Sequence, residues 1–375
     1  MKILVLNWQD IKNPNAGGVE VHLHEIFRRI VKEHEVLLIS SRFKGCKKSE
    51  TIDGIKVIRI GNKYFFNFSA FFYYIRKLKS EHFDVIVDDY SKLPLFTPLY
   101  IRKKPLVTIM HGTFERGEML FKSLSPPIAA FAYLLERLVP FVYKDVPILT
   151  ATNGLSLKEK LLTLGISEQN INLIPAGVDD TLYKPKTKAD EKPLVLYFGR
   201  VTKYKQIDHL IQSFKITKEE IPDAKLIIAG RGNYKELREL VEKLDLANSV
   251  NLVGETSEEE KVRLLQKAWI LVIPSMNEGW GFVVTEANAC GTPVIGYDIP
   301  GLKDSIKNGE TGLLVPYGDI EKLAETMSSV LKDAKLREKL GHNALKWASN
   351  FNWDKSSEKF ITKLEEIANS EGVIL

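Results

Sequence analysis

Short runs of Val, Ile and Leu alternate along this chain with segments whose apolar residues recur every three or four positions. The runs read as strands buried on both faces, and the intervening segments as helices with one apolar stripe. Strands are expected at Lys2–Asn7, Val36–Ser40, Lys56–Ile60, Val85–Val87, Leu106–Met110 and Ile148–Ala151. The pattern then restarts at Leu194–Gly199, with further strands at Lys225–Ala229, Val250–Val253, Trp269–Ile273 and Val294–Gly296. Val19, Leu23, Ile26, Phe27 and Ile30 mark the first helix, and Ile207, Leu210, Ile211 and Phe214 its counterpart in the second half. Both halves open strand, loop, helix, so the fold class is α/β, with two doubly wound domains facing across a cleft.

Two segments depart from one-sided patterning. Eight of the fifteen residues in Tyr64–Leu78 are Phe or Tyr, closing with Arg76 and Lys77, and Pro126–Tyr143 is apolar apart from Glu136 and Arg137. A helix apolar around most of its girth is either buried or lies in a membrane interface, where aromatic rings sit at headgroup level. Both readings stay open. Lys184–Lys192 is polar and lysine-rich, the best linker candidate in the chain.

Composition narrows the class. The 375 residues, 44% of them hydrophobic, suffice for two packed cores, and two cysteines make neither a disulfide framework nor a cysteine metal site. Tyr64–Ile75 and Ser123–Leu135 are the longest apolar-rich uncharged stretches, well short of the roughly 20 residues of a spanning helix. With no signal-peptide pattern after Met1, the expected location is the cytoplasm or the inner face of the cell membrane. Residues 1–180 carry 25 Lys and Arg against 19 Asp and Glu, whereas residues 181–375 carry 28 against 29. The basic excess therefore sits in the first half, including Arg102, Lys103 and Lys104, where it suits peripheral contact with anionic lipid; no nucleic-acid partner is expected.

Candidate chemistry concentrates in Ser275–Gly291, which reads strand, glycine loop, helix. Gly279 and Gly281 let the backbone approach a ligand, and a helix beginning near Phe282 aims its positive dipole end into the same space. Glu278 and Glu286 flank that anion site, and a carboxylate accepts two hydrogen bonds from a vicinal diol. Hydroxyls on both sides of a diphosphate describe a nucleotide sugar. Arg200 and Lys205 follow an expected strand at its carboxyl edge, where they can balance a diphosphate, and His111 closes another. The loop carrying Gly17 and Gly18 lacks the Gly-x-Gly-x-x-Gly fingerprint, so a dinucleotide gains no support.

Glu278-Gly279-Trp280-Gly281-Phe282, with Glu286 eight positions after Glu278, resembles the signature of the retaining glycosyltransferases of family 4, glycosyl transferases group 1, which have the GT-B fold of two Rossmann-like domains. The likeness extends to Gly199-Arg200 with Lys205, to Ile174–Asp179 and to Gly309–Leu313. It implies that Glu278 binds donor-sugar hydroxyls and Glu286 the ribose, and that backbone around Gly281 and Phe282 helps hold the donor. It further implies that Gly17, Gly18, Gly230, Gly254 and Trp280 border the donor, and that His111 hydrogen-bonds near the reacting sugar. Arg200, Lys205, His111 and Glu278 form the implied catalytic set. No Asp-x-Asp occurs, so no metal and no cofactor is expected beyond the nucleotide sugar as co-substrate; the acceptor is a glycan, a lipid-linked sugar or a small molecule. Two positions depart from the family: Gln206 and Leu302 stand where it commonly has glycine. The implied domains are 1–183 on the acceptor side and 184–353 for the nucleotide sugar, with a helix of about 354–375 crossing back onto the first. A nucleotide-sugar epimerase of the same fold and a non-catalytic sugar-nucleotide-binding protein at a membrane surface are the alternatives.

Overall fold

The computed structural model describes residues 1–91, 93–112, 126–152, 154–185 and 192–370. Its chain divides into two units, Met1–Gly177 with Trp353–Leu375, and Val178–Asn352. Residues 186–191 of the expected linker and 371–375 of the expected crossing helix lie outside the described residues.

The first unit is built on an eight-stranded sheet. Its strands are β1 (Lys2–Leu6), β2 (Glu35–Ser41), β3 (Ser49–Ile52), β4 (Ile55–Ile60), β5 (Val85–Tyr90), β6 (Leu106–Met110), β7 (Ile148–Thr150) and β8 (Ile171–Leu173). They lie in the order β3-β4-β2-β1-β5-β6-β7-β8, parallel throughout except for the antiparallel β3–β4 pair. β5 (VIVDDY) is buried along its whole length, Asp88 and Asp89 included, as strands of parallel sheets covered on both faces are. β3 (SETI) and β8 (INL) offer too little apolar pattern to stand out from sequence, and pairing alone makes them strands. The helices are α1 (Gly18–Ile30), α2 (Phe66–Tyr73), α3 (Pro126–Tyr143) and α4 (Leu155–Thr163).

Arg59 on β4 anchors a buried charge cluster. Fully enclosed, it donates Nε and Nη2 to the two oxygens of Asp10 at 2.7 and 2.8 Å and Nη1 to Glu50 Oε1 at 2.6 Å. Ser40 Oγ adds a 2.9 Å bond to Asp10 Oδ2. The fork of a guanidinium matches a carboxylate in this bidentate way, which ties the loop after β1 to β4.

The aromatic segment resolves into two faces. α2 runs on into a wider π-type turn, Tyr74–Leu78, and Phe66, Ala70, Tyr74 and Leu78, four apart, are buried in the core. Opposite them, Phe65, Phe68, Phe72 and Ile75 are 60%, 65%, 47% and 38% exposed. On α3, Tyr143 is buried with its hydroxyl donating to Asp88 at 2.7 Å, while Leu134, Leu138 and Phe141 face solvent. No helix among the described residues is long and apolar enough to cross a membrane.

The second unit has a six-stranded, all-parallel sheet in the order β11-β10-β9-β12-β13-β14. Its strands are β9 (Leu194–Phe198), β10 (Lys225–Ala229), β11 (Val250–Gly254), β12 (Ile270–Ile273), β13 (Val294–Tyr297) and β14 (Gly312–Val315). Between and after them run α5 (Ile207–Glu220), α6 (Lys235–Lys243), α7 (Glu258–Lys267), α8 (Phe282–Ala289), α9 (Leu302–Ser305), α10 (Ile320–Lys332) and α11 (Ala334–Ala348). The last helix, α12 (Trp353–Asn369), returns to the first unit and packs on α1, with Phe27 and Phe360 edge to face at 5.5 Å and Arg29 paired to Asp354 at 2.5 Å.

Candidate active site

In the second unit the chain leaves β9 toward β10 and β11 on one side, and later resumes at β12 toward β13 and β14 on the other. The order therefore reverses between β9 and β12, which pair through Val195–Ile270 and Leu196–Leu271. In an open α/β sheet, the carboxyl ends at such a reversal leave a crevice where ligands bind. The two loops leaving those ends carry the residues singled out by sequence. They are stitched by the Met276 amide, which donates to the Tyr204 carbonyl at 2.9 Å.

Across this seam the ammonium of Lys205 contacts Glu278, with only 12% and 13% of the two side chains exposed. Ser275 Oγ donates to the same Glu278 oxygen at 2.8 Å. Arg200 lies on the Lys205 loop, its Nη2 bonded to the Tyr204 hydroxyl at 3.1 Å and its carbonyl held by the buried Tyr197 hydroxyl at 2.9 Å. Burial is the main reason the Tyr197 phenol is pushed well above its ordinary value, so it remains a proton donor. Gln206 adopts φ +45°, ψ +46° at the N-cap of α5, a left-handed conformation that accounts for glycine being usual there.

The loop after β12 ends at Gly281, which caps α8 with φ +73° and brings no capping side chain. The positive end of α8 thus points into the same space, where it suits an anion. Gly301 backs the loop from below: at φ +66°, a Cβ there would sit 2.2 Å from the Glu278 carbonyl oxygen and 2.8 Å from that of Gly279. Leu302 is fully buried and fills the space under Gly281 and Gly296. A leucine in place of the second glycine therefore packs the loop from beneath. Trp280 points inward, 3% exposed against Phe351 at 5.3 Å, so only its backbone remains on the loop side. Gly230 and Gly254 close the neighbouring β10 and β11 ends, joined by a 2.7 Å bond from the Gly230 amide to the Gly254 carbonyl.

One helical turn into α8, Glu286 lies in a second cluster. Lys261 Nζ on α7 is 2.8 Å from Glu286 Oε2 and 3.2 Å from Glu258 Oε1, and it sits over the rings of Tyr183 and Phe198. The Tyr183 hydroxyl donates to Glu258. Burial raises the Glu286 carboxyl, with Lys261 opposing the shift. For Lys261 burial works against the charge, but Glu286 and Glu258 outweigh it and its pKa is raised. Sequence pattern identified Glu286 and passed over Lys261, Tyr183 and Glu258, which are far from it in sequence. The capping box of α7, with Ser257 accepting from the Glu260 amide at 3.2 Å, was the one local signal near them.

In the first unit His111 ends β6, and its Nε2 lies 2.7 Å from Oδ1 of Asp89, which is wholly buried on β5. His22 of α1, unremarkable in sequence, stands edge-on to His111 at 5.4 Å and against Trp353 at 5.7 Å. Burial, and then His111, lower its pKa well below the usual histidine range. Gly17 caps α1 and Gly18 begins it; the Gly17 amide donates to Glu20 at 2.8 Å, so that N–H is already engaged inside the unit. Among the described residues no group of His, Cys, Asp or Glu is arranged to hold a metal ion.

Comparison with known proteins bears on the family and the fold. The profile described as Glycosyltransferase Family 4 matches residues 16–182, and that described as Glycosyl transferases group 1 matches residues 179–347. The chain is 27% identical to the uncharacterized glycosyltransferase MJ1607 of Methanocaldococcus jannaschii over 96% of its own length and 97% of that protein. It is 29% identical to the capsular polysaccharide biosynthesis glycosyltransferase CapM of Staphylococcus aureus over 64% of its length and 66% of CapM. It is also 31% identical to the D-inositol 3-phosphate glycosyltransferase of Corynebacterium aurimucosum, the match spanning about half of that relative, 51%. Sucrose-phosphate synthase from Thermosynechococcus elongatus superposes with a TM-score of 0.79 at 20% identity, covering 98% of each chain. Anabaena Alr3699/HepE, solved in complex with UDP-glucose, gives 0.78 at 19% identity over 98% of this chain and all of its own. At these identities the structural likeness is one of fold.

Proposed function

The chain belongs to the GT-B glycosyltransferases of the group 1 and family 4 type, and from that premise we propose that it moves a sugar from a nucleotide-diphosphate sugar to an acceptor hydroxyl with retention of configuration. The observation that carries this reading is the meeting of Lys205 and Glu278 at the sheet reversal, beside the positive end of α8. A cation and a hydroxyl-binding carboxylate side by side suit the junction of a diphosphate and a sugar. In this reading Glu286 takes the ribose and Glu278 the sugar hydroxyls, while Arg200, Lys205 and α8 take the diphosphate. Gly230 and Gly254 border the donor in the same unit.

The step balances without a further reagent. The bond from the anomeric carbon to the phosphate oxygen breaks, its electron pair leaving on the diphosphate, whose new charge Arg200 and Lys205 stabilise. The acceptor oxygen bonds to the same face of that carbon, and its proton passes to the departing phosphate oxygen. Two protein cations and a helix dipole supply the charge balance, so no metal ion is needed in this scheme. Among relatives of this fold, one was solved with UDP-glucose and one, TarM, with UDP and a glycosylated glycerol, which supports a nucleotide sugar and a glycan-type acceptor. A thermal-shift panel of UDP, GDP and ADP with their sugars tests the reading. A ligand bound only by the native state, present at about 100 times its Kd, adds about 2.7 kcal/mol, and at least one diphosphate should raise the melting temperature by several degrees. No shift with any of them sinks it.

The acceptor side favours a lipid-linked substrate at the inner face of the cell membrane. Phe65, Phe68, Phe72 and Ile75 form an exposed stripe along α2 and its continuation, with Arg76 stacked on Phe72 and Lys63 on Tyr64. Aromatic rings flanked by cations match the headgroup region of an anionic bilayer. The protein should float with vesicles containing phosphatidylglycerol and lose that ability when Phe65, Phe68 and Phe72 become serine. Failure of the intact protein to float removes the membrane from the proposal.

A further inference from the structure

Glu286 faces an electrostatic problem that its own helix does not solve. Only 16% of its side chain is exposed, and Glu258 stands close enough to raise its pKa further. A buried carboxyl beside a like charge tends to take up a proton, and a protonated carboxyl no longer presents two acceptor oxygens to a diol.

Lys261 answers that problem. Its ammonium, with 13% of the side chain exposed, lies 2.8 Å from Glu286 Oε2 and 3.2 Å from Glu258 Oε1. The rings of Tyr183 and Phe198, 5.3 and 5.5 Å from Nζ, hold the charge in place, and the Tyr183 hydroxyl adds a donor to Glu258. The contact fixes the orientation of the Glu286 carboxylate.

Resting on the donor-site reading above, we infer that Lys261 is the positioning residue that keeps Glu286 an oriented carboxylate, and so makes the site select ribonucleoside over 2′-deoxyribonucleoside diphosphates. Its charge is committed to two carboxylates, which separates its role from that of Lys205 and Arg200 toward the diphosphate.

The test compares UDP, GDP and ADP with their 2′-deoxy counterparts by calorimetry. A hydrogen bond to a charged group is worth about tenfold or more in affinity, so the intact protein should prefer the ribo form by at least about that factor. Lys261→Met keeps the length of the stem, and it should bring the two forms within about threefold, chiefly by weakening the ribo form. Lys261→Arg should retain most of the preference. A Met variant that keeps the full preference, or weakens both forms equally, overturns the inference; the second result would make Lys261 a direct phosphate ligand. Should the Met variant fail to fold, the intact protein serves. The groups facing Glu286 are Lys261 and Glu258 of α7 and Tyr183; burial raises its carboxyl and Lys261 opposes that shift. Because Lys261 holds Glu286 ionised, the ribo preference of the intact protein should stay constant from about pH 8 to about pH 6, and a preference that shrinks over that range overturns the inference. If the intact protein binds none of the diphosphates, the donor-site reading falls, a result distinct from intact preference in the Met variant.

Discussion

Lys205→Ala should cut turnover roughly 100- to 1,000-fold, because losing one donor aimed at charge that develops in the transition state costs about 2.7 to 4 kcal/mol. The expectation comes from where Lys205 sits. The tight turn at Gln206 holds it at the end of β9, and its ammonium reaches across the seam to Glu278 in a pocket that leaves 12% of the side chain exposed. A cation in that setting is little screened, so its interaction with a departing diphosphate is stronger than at an open surface. Since the charge appears as the bond breaks, kcat and kcat/KM should fall together, whereas a lysine that merely bound substrate would raise KM and leave kcat alone. Release of nucleoside diphosphate under saturating donor measures this. An alanine enzyme turning over near the normal rate refutes the assignment, and Lys205→Arg should recover part of the loss.

Arg59→Leu should destabilise the protein by about 3 to 5 kcal/mol, the usual penalty for removing one partner of a buried ion pair and stranding the other. The stranded group is Asp10, 2% exposed, with Ser40 as its remaining side-chain donor. Urea denaturation of the first unit reads the effect, and a loss below about 1 kcal/mol contradicts it. Replacing Asp10 and Arg59 together by leucine should cost much less than the single changes combined, since no charge is then left alone. Acid should act on the same cluster. Lys12 first, then Arg59, holds the Glu50 carboxyl down to about 2 from an ordinary 4.5. Its folded-state pKa is depressed, so its contribution is complete above pH 4.5 and disappears as pH falls toward 2.

What the sequence revealed was whatever is written locally. β6 and β10 are apolar-rich and occur where periodicity places them, and α8 begins at Phe282 because Gly281 and the loop before it leave one place to start. Glu278, Lys205 and Arg200 were legible because position at a strand's carboxyl end is itself a local property. Pairings across the fold were not. Arg59 finds Asp10 49 positions away and His111 finds Asp89 22 positions away, and no spacing rule connects such partners. The aromatic segment shows a third limit. Its period-four core stripe and its exposed stripe are equally apolar, so composition could not separate them, and only the sheet beneath decides which rings go in. Trp280 belongs here too, since a tryptophan flanked by two glycines looks like a ligand contact until the packing against Phe351 takes its ring.

The return of α12 to α1 sets an order of events during synthesis. The second unit occupies one unbroken stretch, Val178–Asn352, and can close as soon as that stretch has left the ribosome. The first unit cannot: Phe27 and Arg29 wait for Phe360 and Asp354, the latter 325 positions after Arg29. At ordinary elongation rates of about 5–20 residues per second, the apolar flank of α1 stands uncovered for roughly 16 to 65 seconds, the interval in which a nascent chain most needs a chaperone.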